Sequence, residues 1–394
     1  MPRPLYTVKG DVRALPDGHA GLWYDKFCDA WVVKNRCWSM MAEPKGPNPK
    51  LVWIQTVARP VGQRDLLAEA THRQVLLASA RGGRFAAFAT ESRFVTGTGR
   101  NHPVDNGFAW HPTLGTPYLP GSSIKGMIRC WAEDAGESPA RITAAFGAGH
   151  PDAADDEPGL REDDETRHGA GRVVVLDAIP VTPPRLEADI LTPHYAGWTP
   201  ADPPADWRSP VPVPFLVTAR DSPFLFAIVP ASASAGAGEP DAHADLVEDA
   251  WRWLTAALTE QGAGAKTAVG YGRFARADRT TAQLKHDVDQ RRADARRAAD
   301  LATPEGRWRV TLEGKVESAV AEAVRVQLKQ GALLEPADRR HFARAVLAGA
   351  FASAWRVGKP ATPGLRPGVM PGGDKHKDLH RLLVEAAESS EDKP

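Results

Sequence analysis

Residues 118–133 read YLPGSSIKGMIRCWAE, and the stretch changes character half-way. A Pro-Gly-Ser-Ser turn runs without a linker into a segment where Ile124, Met127, Ile128 and Trp131 fall at i, i+3, i+4 and i+7. That spacing predicts a helix with one apolar stripe facing a core. Gly121, Ser122 and Ser123 stand at its mouth, and Lys125 and Arg129, four apart, share a face beside the stripe. Two readings are open. The turn is an ordinary start for a core helix carrying two solvated cations. Or its free N–H groups, hydroxyls and cations hold an anion at the positive end of the helix dipole.

A second stretch, GAGAKTAVGYGRF at 262–274, raises the same question. A Walker loop needs Gly directly before Lys; here Ala265 precedes Lys266, and no helix is predicted after Thr267. The dinucleotide spacing is absent too. What remains is a loop whose Gly262, Gly264, Gly270 and Gly272 let backbone approach a ligand. Lys266 and Arg273 supply charge, Tyr271 a stacking face, and Thr267 completes the candidate set. The alternative is a tight helix-to-strand turn. Two such loops in one unit favour an extended phosphate backbone over a single nucleotide.

The surrounding pattern sets the fold class. RFAAFATESRFV (84–95) reads as a strand, and the helix of 121–133 follows. RVVVLDAI (172–179), apolar on both faces, predicts a buried central strand. RLEADIL (185–191) is another strand, and FLVTARDSPFLFAIV (215–229) predicts two short strands around a turn. A second helix spans 241–261, with Val247, Ala250, Trp251, Leu254 and Leu258 as its stripe. The order is that of an α+β, ferredoxin-like (RRM-like, βαββαβ) domain over 81–276. Its long insertions are an acidic loop at 149–171 and a Pro-rich excursion at 192–214. An aromatic-rich segment and a helix (64–80) occupy 1–80. Residues 277–394 predict a helical extension: a charged helix with RRADARR, then two or three Ala-rich helices to about residue 388.

Bulk properties exclude several classes. The 394 residues carry 49 Lys and Arg against 49 Asp and Glu, so any polyanion site is a local patch. Cys28, Cys37 and Cys130 form no CxxC pair, which excludes a zinc ribbon. No stretch of 18 apolar residues and no signal-type start occurs, and a cytoplasmic setting is expected. His102, His111 and His194 lie near Asp105 and Asp189, but without HExxH, HxH or paired-carboxylate spacing. The expectation is therefore no catalytic residue, no metal and no cofactor.

Together, PYLPGSSIKGMIR and GAGAKTAVGYGRF resemble the helix signature and glycine-rich loop of the RAMP superfamily of CRISPR proteins. GLWYDKFCDAW, ADILTPHYAGW and PADWRSPVPVPFLV narrow the resemblance to the sixth-subunit family of Cmr-type (type III-B) effector complexes. It covers roughly residues 20 to 276. The resemblance implies an antiviral guide (CRISPR) RNA binder near the guide 3′ end, in a complex that engages target RNA. Its implied neighbours are the backbone RAMP subunit, a small helical subunit and the first subunit, with no membrane. It implies that the backbone subunit cuts target RNA and that this subunit binds without cutting. His194 and Tyr195 then sit on a projecting segment that reaches a neighbour or the guide–target duplex. The alternative is a RAMP endoribonuclease that processes guide RNA with a His general base.

Overall fold

The computed structural model describes residues 18–28, 32–34, 37–40, 46–102, 104, 106–148, 170–193, 210–231, 240–329, 336–356 and 374–388. His194 and Tyr195 lie outside the described residues, as do most of the acidic loop and of the Pro-rich excursion. The chain divides into two units, Met1–Val288 and Asp289–Pro394.

The first unit starts with α1 (Ala20–Lys26), the paired strands β1 (Val32–Lys34) and β2 (Cys37–Ser39), and α2 (Pro49–Gln55). Next come α3 (Arg64–Ala80), β3 (Arg84–Thr90), α4 (Gly121–Asp134) and α5 (Pro139–Phe146). The remainder is β4 (Val173–Val175), β5 (Ile179–Pro180), β6 (Leu186–Leu191), β7 (Val213–Thr218), β8 (Pro223–Pro230), α6 (Pro240–Glu260) and β9 (Phe274–Arg276). α7 (Asp278–Ala302) then crosses into the second unit.

The main sheet has the order β4-β8-β3-β9, with β5 also on β8, and every pairing is antiparallel. Period-two alternation gives it two apolar faces. Ala86 and Phe88 of β3, with Phe224, Phe226 and Ile228 of β8, pack with the buried stripes of α4 and α6. Ala87 and Leu225 on the opposite face meet Val75 of α3 and Leu284 and Val288 of α7. Thr281 fastens the start of α7 there, its hydroxyl accepting from the Ala87 amide at 2.9 Å.

The helical stripes are as the spacing predicts. Ile124 and Ile128 are fully buried, and Met127 and Trp131 flank them at the edge of the core. All five stripe residues of α6 are buried. Pro139 opens α5, and Gly147, at φ 83, closes it.

One strand expectation is corrected. Residues 172–179 do not form a central strand: they split into β4 and β5 at the sheet edge, and Val174 is exposed. The break exists because Ala178 leaves the ladder to exchange backbone hydrogen bonds with Leu119, at 3.0 and 2.9 Å. The two short strands expected within 215–229 form around their turn and take different partners. β7 joins β6 in a separate two-stranded ribbon, and β8 goes to the main sheet. Thr90 holds the turn between them, donating to the Ala219 carbonyl and accepting from the Ser222 amide, both at 2.9 Å. The ribbon packs with α1, α2 and residues 95–110 in a second core built on Tyr24, Trp53, Phe108, Trp110 and Phe215.

Beyond α7 the described residues form five helices rather than two or three: α8 (Pro304–Leu312), α9 (Glu317–Val324), α10 (Pro336–Leu347), α11 (Ala352–Arg356) and α12 (Asp374–Glu388). Pro304 and Gly314 interrupt the Ala-rich pattern. The unit has its own core, in which the Trp355 indole donates to the buried Glu317 at 2.7 Å.

Candidate functional site

The mouth of α4 is already occupied by the protein itself. Gly121 donates its amide to Asp177 Oδ1 at 2.6 Å, so a carboxylate sits at the positive end of the helix dipole. Gly121 is buried, and a Cβ there would run into the Val175 carbonyl; the residue serves the packing of α4 on the sheet edge. Ser122 and Ser123 are exposed. Lys125 is half-buried and has no ion pair among the described residues. Arg129 is committed: its guanidinium donates to the Gly147 carbonyl at the end of α5 and lies 3.9 Å from Glu133.

The glycine-rich loop leaves α6 and folds back on itself. Ala263 donates to the Gly272 carbonyl, and Gly272 donates to the Arg93 carbonyl, each at 2.8 Å. Ala265 donates to the Val95 carbonyl at 2.8 Å, which lays the loop along residues 93–95. Gly272 sits at φ +75, where a Cβ would collide with the Ala263 carbonyl, so this position requires glycine. Gly262 starts the crossing and Gly264 lies against the Val95 carbonyl. Thr267 opens a single 3-10 turn that ends at Gly270.

The loop's charged and aromatic groups are largely engaged. The Lys266 ammonium stands 5.6 Å from the centroid of the Phe215 ring. Tyr271 packs on Phe215 with ring centroids 5.9 Å apart and donates its hydroxyl to Asp189. Arg273 donates to the Thr259 carbonyl at 3.1 Å, capping the last turn of α6.

A groove of about 670 Å³ brings the two predicted loops together. Ser123 and Met127 of α4 line one side, and Gly262, Gly264, Thr267 and Arg273 line another. Its third wall, Thr96–Gly99, is absent from the expected set, although the Thr-Gly-Thr-Gly run marks it in the sequence. Gly270 and Tyr271 belong instead to a second groove of about 610 Å³, with Arg93, Arg185, Glu187 and Asp189. Lys125, Arg129 and Lys266 line neither groove.

The two described candidate histidines, His102 and His111, have structural work. His102 stacks on Tyr24 with centroids 4.2 Å apart; its Nε2 donates to the Tyr24 carbonyl at 3.0 Å and its Nδ1 accepts from Val104. Burial lowers its pKa even though Asp25 lies 3.7 Å away, so the neutral ring is favoured and the contact is not an ion pair. His111 Nδ1 accepts from the Thr113 and Leu114 amides, and burial lowers its pKa as well. Among the described residues no group of three or more His, Cys, Asp or Glu is placed to hold a metal ion. None of their helices is long and apolar enough to cross a membrane.

The comparisons with known proteins agree on one family. The model of the RAMP superfamily matches residues 87–275. CRISPR system Cmr subunit Cmr6 of Pyrococcus furiosus is 31% identical over 235 residues, which cover 48% of this chain and 66% of that relative. The chain is similar to the RAMP superfamily over residues 87–275. Two solved structures are similar. One is the cryo-EM structure of the type III-B Cmr-beta complex bound to cognate target RNA: 22% identity, TM-score 0.43, covering 58% of this chain and 71% of that one. The other is the crystal structure of Cmr6 from Pyrococcus furiosus: 27% identity, TM-score 0.28, covering 50% and 97%. The sequence match spans just under two thirds of the Cmr6 relative's length. In this chain the family match begins in β3 and ends in β9. It therefore takes in the main sheet, α4, α6 and the glycine-rich loop, and leaves α1, α2 and all of α7–α12 outside.

Proposed function

We propose that this chain is a RAMP protein, a non-catalytic, guide-RNA-binding subunit of a type III-B (Cmr-type) effector complex acting in antiviral defence in the cytoplasm. The observation that carries the reading is the 31% identity to a Cmr subunit over 235 residues, beside a RAMP superfamily match over 87–275 that includes both predicted loops. The order strand–helix–strand–strand–helix–strand, with neighbours β4-β8-β3-β9, supports a ferredoxin-like core of the RRM-like kind. RRM-type sheets and their loops bind single-stranded RNA. The meeting of Ser123, Thr267 and Arg273 in one groove supports RNA contact there.

A binding role also fits the state of the histidines. A general base must have a nitrogen free to take the 2′-hydroxyl proton. Both ring nitrogens of His102 are committed to backbone groups, and the pKa of each of His102 and His111 is moved downward by burial. In the proposed complex the subunit sits near the 3′ part of the guide, beside the backbone RAMP subunit, the small helical subunit and the first subunit.

Copurification tests the reading. Tagged protein recovered from its native host should carry the other Cmr subunits and CRISPR RNA. Purified alone, it should leave repeat-containing RNA intact with or without a chelator. Recovery without RNA or Cmr subunits would overturn the assignment, and metal-independent cleavage would make the protein a processing endoribonuclease.

A further inference from the structure

We infer that the groove between α4, Thr96–Gly99 and the glycine-rich loop takes one unstacked ribonucleoside, base and sugar, rather than a run of phosphates. The inference rests on the RNA-binding reading and names what this one groove reads. Most of its lining is uncharged. Thr98, Ser123 and Thr267 present hydroxyls with no hydrogen-bond partner among the described residues. Gln261 Nε2 uses one of its two N–H groups on Asp134 at 3.2 Å, leaving the other and the amide oxygen. Met127 adds a polarizable apolar side chain at the edge of the core.

The lining is poorly matched to a phosphate. The cation that lines the groove, Arg273, is turned to the Thr259 carbonyl. The carboxylate of Glu260 also lines it, held by the Trp131 indole at 2.8 Å, and it repels an anion. Hydroxyls and a primary amide both donate and accept, which is what base edges and a ribose 2′-hydroxyl require. A volume of about 670 Å³ is of the size that small-molecule sites use. Lys125 and Lys266, outside the groove, are left to neighbouring phosphates.

The test uses the full chain and three probes: a short fluorescent single-stranded RNA, an abasic ribose-phosphate oligomer of equal length, and free adenosine monophosphate. Wild type should bind the RNA tighter than the abasic oligomer. The double variant Ser123→Ala/Thr98→Ala and the single variant Met127→Ala should each lose about threefold to tenfold on RNA. They should lose nothing on the abasic oligomer and keep the wild-type salt slope. Equal binding of RNA and abasic oligomer by wild type would overturn the inference and leave phosphate binding standing. Tight binding of the free monophosphate, lost in the variants while RNA affinity is unchanged, would overturn it in favour of a nucleotide site. No binding of either oligomer would remove the RNA-binding reading itself.

Discussion

The phenol of Tyr271 donates to Asp189 Oδ2 at 2.7 Å, and Arg93 Nη1 reaches the same oxygen at 2.9 Å. One carboxylate on β6 thus clips the glycine-rich loop to the ribbon and to the segment after β3. Arg93 also pairs with Glu187 at 3.3 Å. Tyr271, expected to offer a stacking face, has its hydroxyl committed to this clip.

Loss of the clip should loosen the loop without unfolding the chain. Tyr271→Phe removes one partly exposed hydrogen bond, a change of about 1 kcal/mol. Hydrogen exchange at 266–272 should quicken while the global melting temperature hardly moves. Burial first, then Asp189, pushes the Tyr271 phenol up to about 12. A raised folded pKa favours the neutral phenol, so its contribution is complete below the ordinary tyrosine value near 10. It fades as pH climbs through about 12. Ultraviolet difference titration of wild type against Tyr271→Phe should show one tyrosine ionising late.

Lys266 holds φ +61, a left-handed conformation that a Cβ disfavours. Lys266→Gly and Lys266→Ala both remove the ammonium and its contact with Phe215, but only Ala keeps a Cβ there. The Gly variant should be more stable than the Ala variant by about 1 kcal/mol in urea denaturation. Equal stabilities would show that the loop relaxes freely.

Lys125 and Arg129 share a helix face but not a role. If Lys125 contacts an RNA phosphate, Lys125→Ala should lower the salt slope of single-stranded RNA binding by about 0.7. Arg129→Ala should leave the slope unchanged and lower thermal stability, because the Gly147 carbonyl loses its charged donor. A slope change in the Arg129 variant alone would reverse the assignment.

His102 should make the fold acid-sensitive. Its pKa is lowered in the folded state, chiefly by burial, so its contribution is present above the ordinary histidine value of about 6.5. That contribution is lost as pH falls through the lower folded value. Melting temperature should therefore drop as pH falls below about 6.5, and His102→Gln should flatten the profile. His102→Ala opens a cavity against Tyr24 and should cost about 2 kcal/mol or more. In the proposed complex, neither variant should change RNA cleavage except where binding is lost.

Local chemistry alone determined much of this protein. The span 64–80 is α3 to the residue, and the stripes of α4 and α6 are buried as their spacing predicts, because helical periodicity is carried by neighbours in the chain. The failed Walker pattern at Ala265 likewise needed no coordinates, and the RAMP resemblance rested on contiguous motifs. Partners distant in sequence were decided only by the tertiary structure. Nothing within RVVVLDAI announces that Ala178 will leave the sheet for Leu119, or that Asp177 will take the Gly121 amide. Nor does the spacing of Arg129 and Arg273 show that each guanidinium is spent on the carbonyl end of a helix. Gly121 and Gly272 were legible as conspicuous glycines, but the carbonyls that require them, on Val175 and Ala263, appear only when the strands and loops close on one another. A side chain's type and spacing are local properties; the group that consumes its hydrogen bond or charge is set by packing, and packing is decided by the whole chain at once.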